Sequence, residues 1–385
     1  MIEQEYLNSA TETDVESDVY VSSQDTNHVK MRNVSSVFNT IERNPGITRS
    51  RITQKTGLSM MTVSKIIETF ARKGVIIQYK SEGSSSVQQS SDKTVVAGRK
   101  ASLLYIDYSN SYAIVDLSSY NFSFCIYNIK KERMLKYVHQ YDTALEFTQN
   151  LKKFLFKCRY HLEAYTEKYR VFALGVSLPG PYDSTTDKIV NKRMPELNSI
   201  SITKTLEFGL MMPVTFIDEN VKLSIYAHMQ TIPQYEDKQL LYLHIGDGVG
   251  GGIAFNGQII RGAGKFAGDM GQLILNDKGK TLEQIIKSPE SDEELKEGLK
   301  SFFYNAMWFY NPDVFIIEYD AELNPYISKD LFQDINLKEM FDPMTQNFPE
   351  MIVTDEIKKS HLGLGSYICN QWYKRILSMS DRFED

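Results

Sequence analysis

Glycine is concentrated between residues 246 and 252, where five of the seven residues are glycine and one is an aspartate. A glycine-rich loop can bring its backbone N–H groups close to a phosphate, because no side chain stands in the way. Asp247 lies inside this run, and its carboxylate would repel a phosphate unless a metal ion intervened. The alternative is a tight β-turn between two strands, and we favour this interpretation.

Short polar side chains beside basic ones mark a second segment, residues 48–65. Hydroxyl and ammonium groups at the start of a helix can bond DNA base edges or phosphates, and Met can contact thymine methyl groups. The residues of this type at one predicted helix start are Ser59, Met60, Met61, Thr62, Ser64 and Lys65. An earlier helix would begin with Thr48, Arg49 and Ser50, where its N-terminus suits a phosphate. The sequence therefore predicts a DNA-binding site, and the alternative is a helical module that contacts protein.

Charge is strongly segregated along the chain, although the formal net charge is only −6. Residues 1–29 contain seven acidic residues and no Lys or Arg, whereas residues 30–100 contain thirteen Lys or Arg and four acids, a net +9. A basic block inside an acidic chain is typical of a polyanion-binding module. The alternative is a basic surface that is simply solvated.

The elements that must position the DNA-binding residues follow from the pattern of residues 30–80. Val34, Val37, Phe38 and Ile41 form one helical stripe, which Asn44-Pro45-Gly46 ends. Thr48 and Ser59 are predicted to cap a second and a third helix, which end at Gly57 and Gly74, and residues 75–80 are typical of a strand. This order predicts a winged helix-turn-helix domain over residues 29–80.

The segments on either side of this domain lack helical or strand periodicity. Residues 1–28 are predicted to be a disordered acidic tail, and residues 81–100 a wing tip and linker. The linker ends in Gly98-Arg99-Lys100. Arg99 and Lys100 could insert into a narrow A·T minor groove, or they could belong to an ordinary basic linker, and the sequence favours neither alternative.

Strand-like and helix-like segments alternate through residues 101–385, which predicts an α/β class with mixed sheets. The predicted strands are at about 103–106, 112–117, 122–129, 171–178, 214–218, 240–246, 251–257 and 314–320. The predicted helices are at about 142–160, 221–230, 292–310 and 362–377.

Five segments, in this order and spacing, resemble the ROK family of repressors, open reading frames and kinases. They are LGVSLPGPYD (174–183), FIDENVKLSIYAH (216–228), LHIGDGVGGGIAFNGQIIRGAGKFAGDMGQLIL (243–275), NPDVFIIEYD (311–320) and HLGLGSYICNQW (361–372). The repressor branch of that family carries a winged helix followed by Gly-Arg-Pro, where this chain has Gly98-Arg99-Lys100. The resemblance covers about residues 31–380 and implies a two-lobed actin/hexokinase-like domain over residues 101–385, with a sugar cleft.

The resemblance also implies that kinase chemistry has been lost. Val221 matches the position of the catalytic Asp, and the nearest carboxylate, Glu219, lies two residues earlier. The first phosphate loop, Asp-x-Gly-Gly-Thr in the family, has Ser118 and Ser119 in place of the glycines. The bulky run 318–320 (Glu-Tyr-Asp) replaces the glycines of the nucleotide loop, and Asp247 replaces a Thr in the second phosphate loop. We therefore expect no ATP-dependent catalysis and no cofactor.

Three polar residues match sugar-binding positions of the family, namely Asn220, Asp269 and Gln272. Asp replaces Glu and Gln replaces His at the last two, which changes reach and charge. The resemblance thus leaves open a sugar effector, a phosphosugar effector or an empty cleft. The zinc ligands of the family are absent, and Cys125, Cys158 and Cys369 lie far apart, so we expect no metal site.

These observations predict a DNA-binding transcription regulator, a repressor of carbohydrate genes, that is not an enzyme. The expected partners are double-stranded DNA, a sugar or phosphosugar, and a second copy of the chain, since one winged helix covers only a half-site. Without a secretory signal or an apolar span, we expect a cytoplasmic, nucleoid-associated protein with no membrane partner. The alternatives are a ROK-type carbohydrate kinase and an effector-independent DNA-binding or interaction protein.

Overall fold

The computed structural model describes residues 23–80, 102–235, 237–341, 347–355 and 359–377. The chain divides into two compact units, which are Met1–Asp107 with Tyr373–Asp385, and Tyr108–Trp372. None of the helices in these described ranges is both long enough and apolar enough to cross a membrane.

The first unit is a three-helix domain with a two-stranded sheet. Its elements are α1 (Ser23–Arg43), α2 (Arg49–Thr56), α3 (Met60–Arg72), β1 (Ile76–Lys80) and β2 (Ser102–Ile106). The predicted caps are confirmed: Thr48 Oγ1 accepts from Arg51 N at 3.4 Å, and Ser59 Oγ accepts from Thr62 N at 3.1 Å. Gly57 ends α2 in the left-handed conformation, with φ +72°, which a residue with a Cβ adopts only at a cost.

The predicted apolar stripe of α1 packs against α3 to form the core of this unit. Val34, Val37 and Ile41 are all buried, and Val63, Ile67 and Phe70 face them from α3. Phe38 meets Phe70 edge-on at a centroid distance of 6.1 Å. Burial of each such side chain stabilises the fold by about 1.5–3 kcal/mol, so this periodic pattern determines how the three helices pack.

Two predicted boundaries of the first unit are wrong. Helix α1 begins at Ser23, so residues 23–28 are helical and do not belong to a disordered tail, whereas residues 1–22 lie outside the described ranges. Strand β2, assigned above to the kinase-like domain, pairs antiparallel with β1, from Ile76 opposite Ile106 to Lys80 opposite Ser102. It is therefore the second strand of the wing. The predicted linker, residues 81–100, also lies outside the described ranges.

The first half of the second unit is built on a five-stranded sheet of order β5-β4-β3-β6-β9. Its strands are β3 (Asn110–Asp116), β4 (Ser123–Asn128), β5 (Arg133–Val138), β6 (Arg170–Leu178) and β9 (Phe216–Glu219), with a small hairpin of β7 (Tyr182–Asp183) and β8 (Lys188–Ile189). Helices α4 (Phe147–Thr166) and α5 (Ile202–Leu210) cover it. Strands β6 and β9 run parallel, whereas β3, β4 and β5 form an antiparallel meander.

The second half contains another five-stranded sheet, of order β12-β11-β10-β13-β14. Its strands are β10 (Leu240–Ile245), β11 (Val249–Phe255), β12 (Gln258–Ile260), β13 (Val314–Tyr319) and β14 (Glu350–Thr354). The remaining helices are α6 (Asn220–Thr231), α7 (Leu282–Lys287), α8 (Asp292–Phe309), α9 (Lys329–Gln333), α10 (Leu337–Phe341) and α11 (Lys359–Leu377). Both sheets mix parallel and antiparallel pairs, which confirms the predicted α/β class.

Helix α6 lies between the two sheets. It follows directly from the end of β9 in the first sheet and packs against β11 and β12 in the second. A site at the start of α6 is therefore lined by both halves of the unit.

Candidate functional site

The start of α3 presents the predicted DNA-binding residues to solvent. The side chain of Met61 is 82% exposed, and Ser59, Met60 and Lys65 are exposed as well. Thr62 and Ser64 are half-buried, and the hydroxyls of Ser59 and Thr62 lie 2.9 Å apart. The cap therefore fixes the start of α3, while the side chains of Met61 and Lys65 remain exposed to a ligand.

The start of α2 is less open than the sequence indicated. Ser50 is exposed, whereas Thr48 and Arg49 are half-buried. The guanidinium of Arg49 donates to Oε1 of Gln78 at 3.2 Å, so it is tied to the wing strand β1. Arg99 and Lys100 lie outside the described residues.

The glycine run forms a tight turn, residues 246–248, between the antiparallel strands β10 and β11 and then continues as the start of β11, which is the interpretation favoured above. Gly246 N donates to Gly248 O at 2.8 Å, which closes the turn. The guanidinium of Arg193 fills the space over Gly248, because a Cβ built there would lie 1.4 Å from Arg193 Nη1. This turn is thus occupied by a cationic side chain of the chain itself, with Glu283 Oε1 3.8 Å from Arg193 Nη1.

Two further glycines let the loop before Asp269 lie directly on β11. A Cβ on Gly251 would lie 2.3 Å from the carbonyl oxygen of Gly268. Gly268 itself has φ +84°, and a Cβ there would lie 2.7 Å from the Cα of Gly252. Because only glycine allows this approach, these positions determine where Asp269 lies.

Lys222 fastens the same loop to α6 from within the protein. Its side chain is 1% exposed, and its Nζ donates to the carbonyl oxygens of Gly251 at 3.1 Å and Ala267 at 2.7 Å. Burial lowers the pKa of Lys222, although the neighbouring carboxylates of Glu219 and Asp269 oppose that shift. Burial also raises the pKa of Glu219, to about 7, and raises that of Asp269. These three residues form a partly buried charge cluster at the start of α6.

Of the three predicted sugar-binding residues, Asp269 belongs to this cluster, and Asn220 and Gln272 follow members of it closely in the chain. Asp269 precedes and Gln272 ends one 3-10 turn, Met270–Gln272, whereas Asn220 is the first residue of α6. Asn220 Oδ1 accepts from the backbone N–H of Val221 at 2.9 Å. Gln272 is exposed, donates to Glu283 Oε2 at 3.1 Å and accepts from Lys192 Nζ at 3.4 Å. Lys222 is the link that holds the helix of Asn220 to the loop of Asp269.

Val221, which the resemblance places at the position of the family's catalytic Asp, has an apolar side chain that cannot accept a proton. It is 6% exposed and packs in the core with Ile225 and Met229. The carboxylates at this junction are Asp218 and Glu219. Asp218 is held by a bidentate ion pair with Arg261, at 2.7 and 2.5 Å. Glu219 is therefore the junction carboxylate without such a bidentate partner.

In the segment that matches the first phosphate loop, the carboxylate of Asp116 already has hydrogen-bond partners within the protein. Asp116 Oδ1 accepts from Ser118 N at 2.8 Å, and Asp116 Oδ2 lies 3.0 Å from His361 Nε2 of α11. Burial alone would raise the pKa of Asp116, but the hydrogen bond and charge of His361, together with the hydrogen bonds from Ser118, outweigh it and hold that pKa below its usual value. Conversely, burial would lower the pKa of His361, but Asp116 and, after it, Cys125 raise it to about 9. The two groups thus form an ion pair at neutral pH.

The segment that matches the nucleotide loop continues as strand β13 to Tyr319. The Glu318 side chain is fully buried, accepts a hydrogen bond from Tyr242, and lies 3.5 Å from His228 Nε2. Asp320 Oδ1 accepts from the backbone N–H groups of Glu322 and Leu323. Glu318 therefore faces the core, where it cannot contact a nucleotide.

Three charged residues that organise this site, Lys222, His361 and Arg193, were not among those predicted from the sequence. Lys222 carried a usable signal, because it is the one charged residue in the apolar helical run from Val221 to Met229 apart from the weakly basic His228. His361 and Arg193 carried none, since their partners lie far away in sequence. The three cysteines are buried and unpaired, and no group of three His, Cys, Asp or Glu side chains suited to a metal occurs in the described ranges.

Comparison with known proteins follows the division into two units. Residues 36–77 match a family model described as winged helix-turn-helix DNA-binding, and residues 112–282 match the ROK family. The xylose repressor of Staphylococcus xylosus is 23% identical over 326 residues, which cover 82% of each chain. The xylose repressor of Bacillus subtilis is 22% identical over 259 residues, 66% of this chain and 63% of that protein. The match to NagC of Escherichia coli, a DNA-binding transcriptional dual regulator, is 23% identical and covers 65% of this chain and 59% of that protein.

Solved structures show the same fold. A ROK family transcriptional regulator, a homologue of the E. coli MLC protein, superposes with a TM-score of 0.61 at 15% identity, covering 91% of this chain and 98% of that one. The ROK hexokinase of Thermus thermophilus superposes with a TM-score of 0.52 at 18% identity, covering 68% of this chain and 99% of that one. The second unit thus has the hexokinase-like fold of ROK proteins. The chain therefore carries a ROK family domain behind an N-terminal winged helix-turn-helix segment.

Proposed function

We propose that this protein is a DNA-binding repressor of carbohydrate genes that acts in the cytoplasm, on the nucleoid. The observation that carries the proposal is the capped start of α3, which exposes Ser59, Met61 and Lys65 within a segment of net charge +9. A helix of this kind fits the major groove, and the surrounding positive charge attracts the phosphate backbone. The matches to proteins named xylose repressor and NagC support the link to carbohydrate genes.

In this proposal α3 contacts base edges through its first two turns. Met60 and Met61 meet thymine methyl groups, while Ser59, Thr62, Ser64 and Lys65 bond bases or phosphates. The N-terminus of α2, with Thr48, Arg49 and Ser50, binds a backbone phosphate. The hydrogen bond between Arg49 and Gln78 would hold that guanidinium in a fixed position. Arg99 and Lys100 would add a minor-groove contact, and two copies of the chain would bind two half-sites.

The ROK domain would act as the sensor. We assign a sugar or phosphosugar to the junction of β9 and α6, where Asn220, Asp269 and Gln272 offer hydrogen-bond donors and acceptors. The loop of Asp269 is held in place by Gly251, Gly268 and Lys222, so the site is preorganised. The domain would have two conformations that differ in operator affinity. A sugar can shift the balance between them only to the extent that it binds one conformation more tightly than the other.

Phosphoryl transfer is not part of this proposal. A kinase needs a phosphate cradle and a nucleotide loop, together with a base. Asp116 is paired with His361, Arg193 fills the glycine turn, and Glu318 is buried in the core. The first two contacts lie in segments that match the phosphate loops of the kinases, and the third removes the Glu318 carboxylate from the surface, which supports a domain without phosphoryl transfer.

A second candidate, a carbohydrate kinase, is favoured by one observation. Glu219 lies at the β9–α6 junction with a pKa raised by burial to about 7, which suits a general base near neutral pH. ATP turnover in the presence of hexoses, and its loss in Glu219→Gln, would identify this activity.

The principal test is binding of the full-length protein to DNA from its own promoter region. Fluorescence anisotropy would be measured with and without xylose, other pentoses and hexoses, and their phosphates. We expect tight, salt-sensitive binding that one member of the panel weakens. Binding that is absent or insensitive to salt would contradict the DNA-binding proposal, whereas binding that no sugar changes would contradict only the sensor.

A further inference from the structure

An open groove of about 550 Å³ lies between the edge strand β5 and helix α4 of the ROK domain. Tyr137 and His139 line it on the side of the strand, and the helix contributes Lys152, Lys153, Phe156 and Lys157. It is formed entirely within the first half of the domain, away from the β9–α6 junction proposed above for the effector.

The groove has a strongly positive rim. Lys152, Lys153 and Lys157 are all exposed, and α4 carries no acidic residue between Phe147 and His161. The first acid of the helix, Glu163, is paired with Arg159 at 2.7 Å. Strand β5 contains no acid. Across the described part of the chain, no carboxylate forms an ion pair with any of the three lysines, so their charge is available to a partner.

The groove also has an apolar aromatic wall. The Phe156 side chain is 71% exposed, and Tyr137 stacks on the buried Phe154 at a centroid distance of 6.0 Å. An exposed aromatic beside a rigid aromatic floor is costly to leave in water and is typical of a surface that a partner covers. The wall and the lysines together would accept a segment that alternates carboxylates with apolar side chains.

Strand β5 offers the third feature, an unpaired backbone edge. Within the described ranges it pairs with β4 alone, so its other side presents unpaired N–H and C=O groups at the edge of the sheet, beside the groove. An extended segment can add to such an edge by main-chain hydrogen bonds, while pockets beside it select alternate side chains. A second copy of the same basic edge is disfavoured, because like charges would face each other.

We propose that this groove binds an extended acidic segment of another protein, which adds as a strand to β5. Its carboxylates would meet Lys152, Lys153 and Lys157, and an apolar side chain between them would cover Phe156 and Tyr137. The interaction gives the domain an input from a protein partner, independent of the small-molecule site. It does not depend on the proposed DNA binding.

The test uses the full-length protein and a fluorescein-labelled peptide in which Glu alternates with Val around a central Phe. Excess duplex DNA would be present, so that the basic winged helix is occupied. Two control peptides would carry Lys in place of Glu, or Pro at alternate Val positions with the same charge. We expect the acidic peptide to bind, the Lys peptide not to bind, and the Pro peptide to bind weakly because it cannot form a strand.

Charge reversal within the groove provides the matched comparison. We expect Lys152→Glu with Lys157→Glu to weaken peptide binding about tenfold or more. The control pair, Lys168→Glu with Lys204→Glu, reverses two exposed lysines outside the groove and should leave binding unchanged. Deuterium exchange of the β5 amides, residues 133–138, should slow on peptide addition, while that of residues 240–245 should not.

Four results would overturn the proposal. They are equal binding by the groove variant, unchanged exchange in residues 133–138, and equal or tighter groove-dependent binding of a single-stranded oligonucleotide. The fourth is a dimer in sedimentation that the groove variant disrupts, which would assign the groove to a second copy.

Since all four lysines are exposed, melting curves of the variants should match the wild type and confirm that they fold. Phe156→Ser provides a second variant that leaves the charges intact and should also weaken binding.

Discussion

His361 Nε2 lies 3.0 Å from Asp116 Oδ2, and this contact joins helix α11 to the end of strand β3. The second nitrogen of the same imidazole lies 3.1 Å from the hydroxyl of Tyr127 on β4. One histidine near the C-terminus thus holds two strands of the first sheet. The same histidine is the ion-pair partner of Asp116, the carboxylate that the family resemblance assigned to a phosphate loop.

Replacement of this histidine should destabilise the ROK domain. His361→Ala would leave Asp116 charged, largely buried and without its cationic partner, and we expect a loss of roughly 3 kcal/mol in unfolding free energy. Urea denaturation followed by tryptophan fluorescence measures it. Tyr127→Phe is the matched variant, since it removes only the hydroxyl, and it should cost about 1 kcal/mol. An unchanged unfolding midpoint for His361→Ala would show that the ion pair contributes nothing.

The same pair predicts a pH dependence. The pKa of His361 is raised from 6.5 to about 9 in the folded state, so its contribution is complete below pH 6.5 and is lost as pH rises through 9. The pKa of Asp116 is lowered from 3.8, so its contribution is complete above pH 3.8 and is lost in stronger acid. The stability difference between wild type and His361→Ala should therefore be largest between these limits and shrink toward pH 9. A difference that grows in alkali would contradict the assignment.

Helix α3 predicts a simple salt effect on DNA binding. Lys65→Ala should weaken operator binding and reduce the slope of log K against log salt by about 1, because one phosphate contact is lost. Met61→Ala should weaken binding without a change in that slope, since the thioether carries no charge. Anisotropy titrations at several salt concentrations distinguish the two, and Lys168→Ala in the ROK domain is the control. Identical slopes for wild type and Lys65→Ala would remove Lys65 from the phosphate contacts.

Glu219 predicts a stability that falls with pH. Burial raises the pKa of Glu219 from 4.5 to about 7, so the folded protein retains a proton that the unfolded chain releases. As pH rises from 4.5 to 7, wild type should therefore lose stability relative to Glu219→Gln, which cannot ionise. Melting temperatures of both proteins across that range measure it. Parallel curves would mean that Glu219 is ionised throughout, and the second candidate function would lose its support.

Asp269 tests the proposed sensor. Once a sugar from the panel is found to stabilise the protein, Asp269→Ala should abolish both that stabilisation and the release of operator DNA. A buried partner left unsatisfied costs about 1–3 kcal/mol, enough to weaken binding roughly tenfold or more. Asp277→Ala, at an exposed position in the next loop, is the control. If Asp269→Ala retains both effects, the effector binds elsewhere.

The sequence by itself determined the helices of the winged helix and the alternation of strands and helices after it. These depend on local rules: Thr48 and Ser59 cap the helices that follow them, and the apolar stripe of α1 repeats with the helical period. The resemblance to ROK proteins depended on the order and spacing of short motifs, and both can be seen in one sequence. A local sequence signal is sufficient for caps and helical stripes, because the residues that interact are only a few positions apart in the chain.

Tertiary structure alone decided the features that require distant partners. Strand β2 pairs with β1 across some twenty intervening residues, so its place in the wing could not follow from its own composition. The inward direction of Val221 and the burial of Lys222 depend on how α6 enters the space between the two sheets. Asp116 and His361 are 245 residues apart in the chain, and only the packing of α11 on the first sheet brings them together. Charge and hydrogen-bond pairs of this kind carry no periodicity, and their formation depends on the geometry of the completed fold.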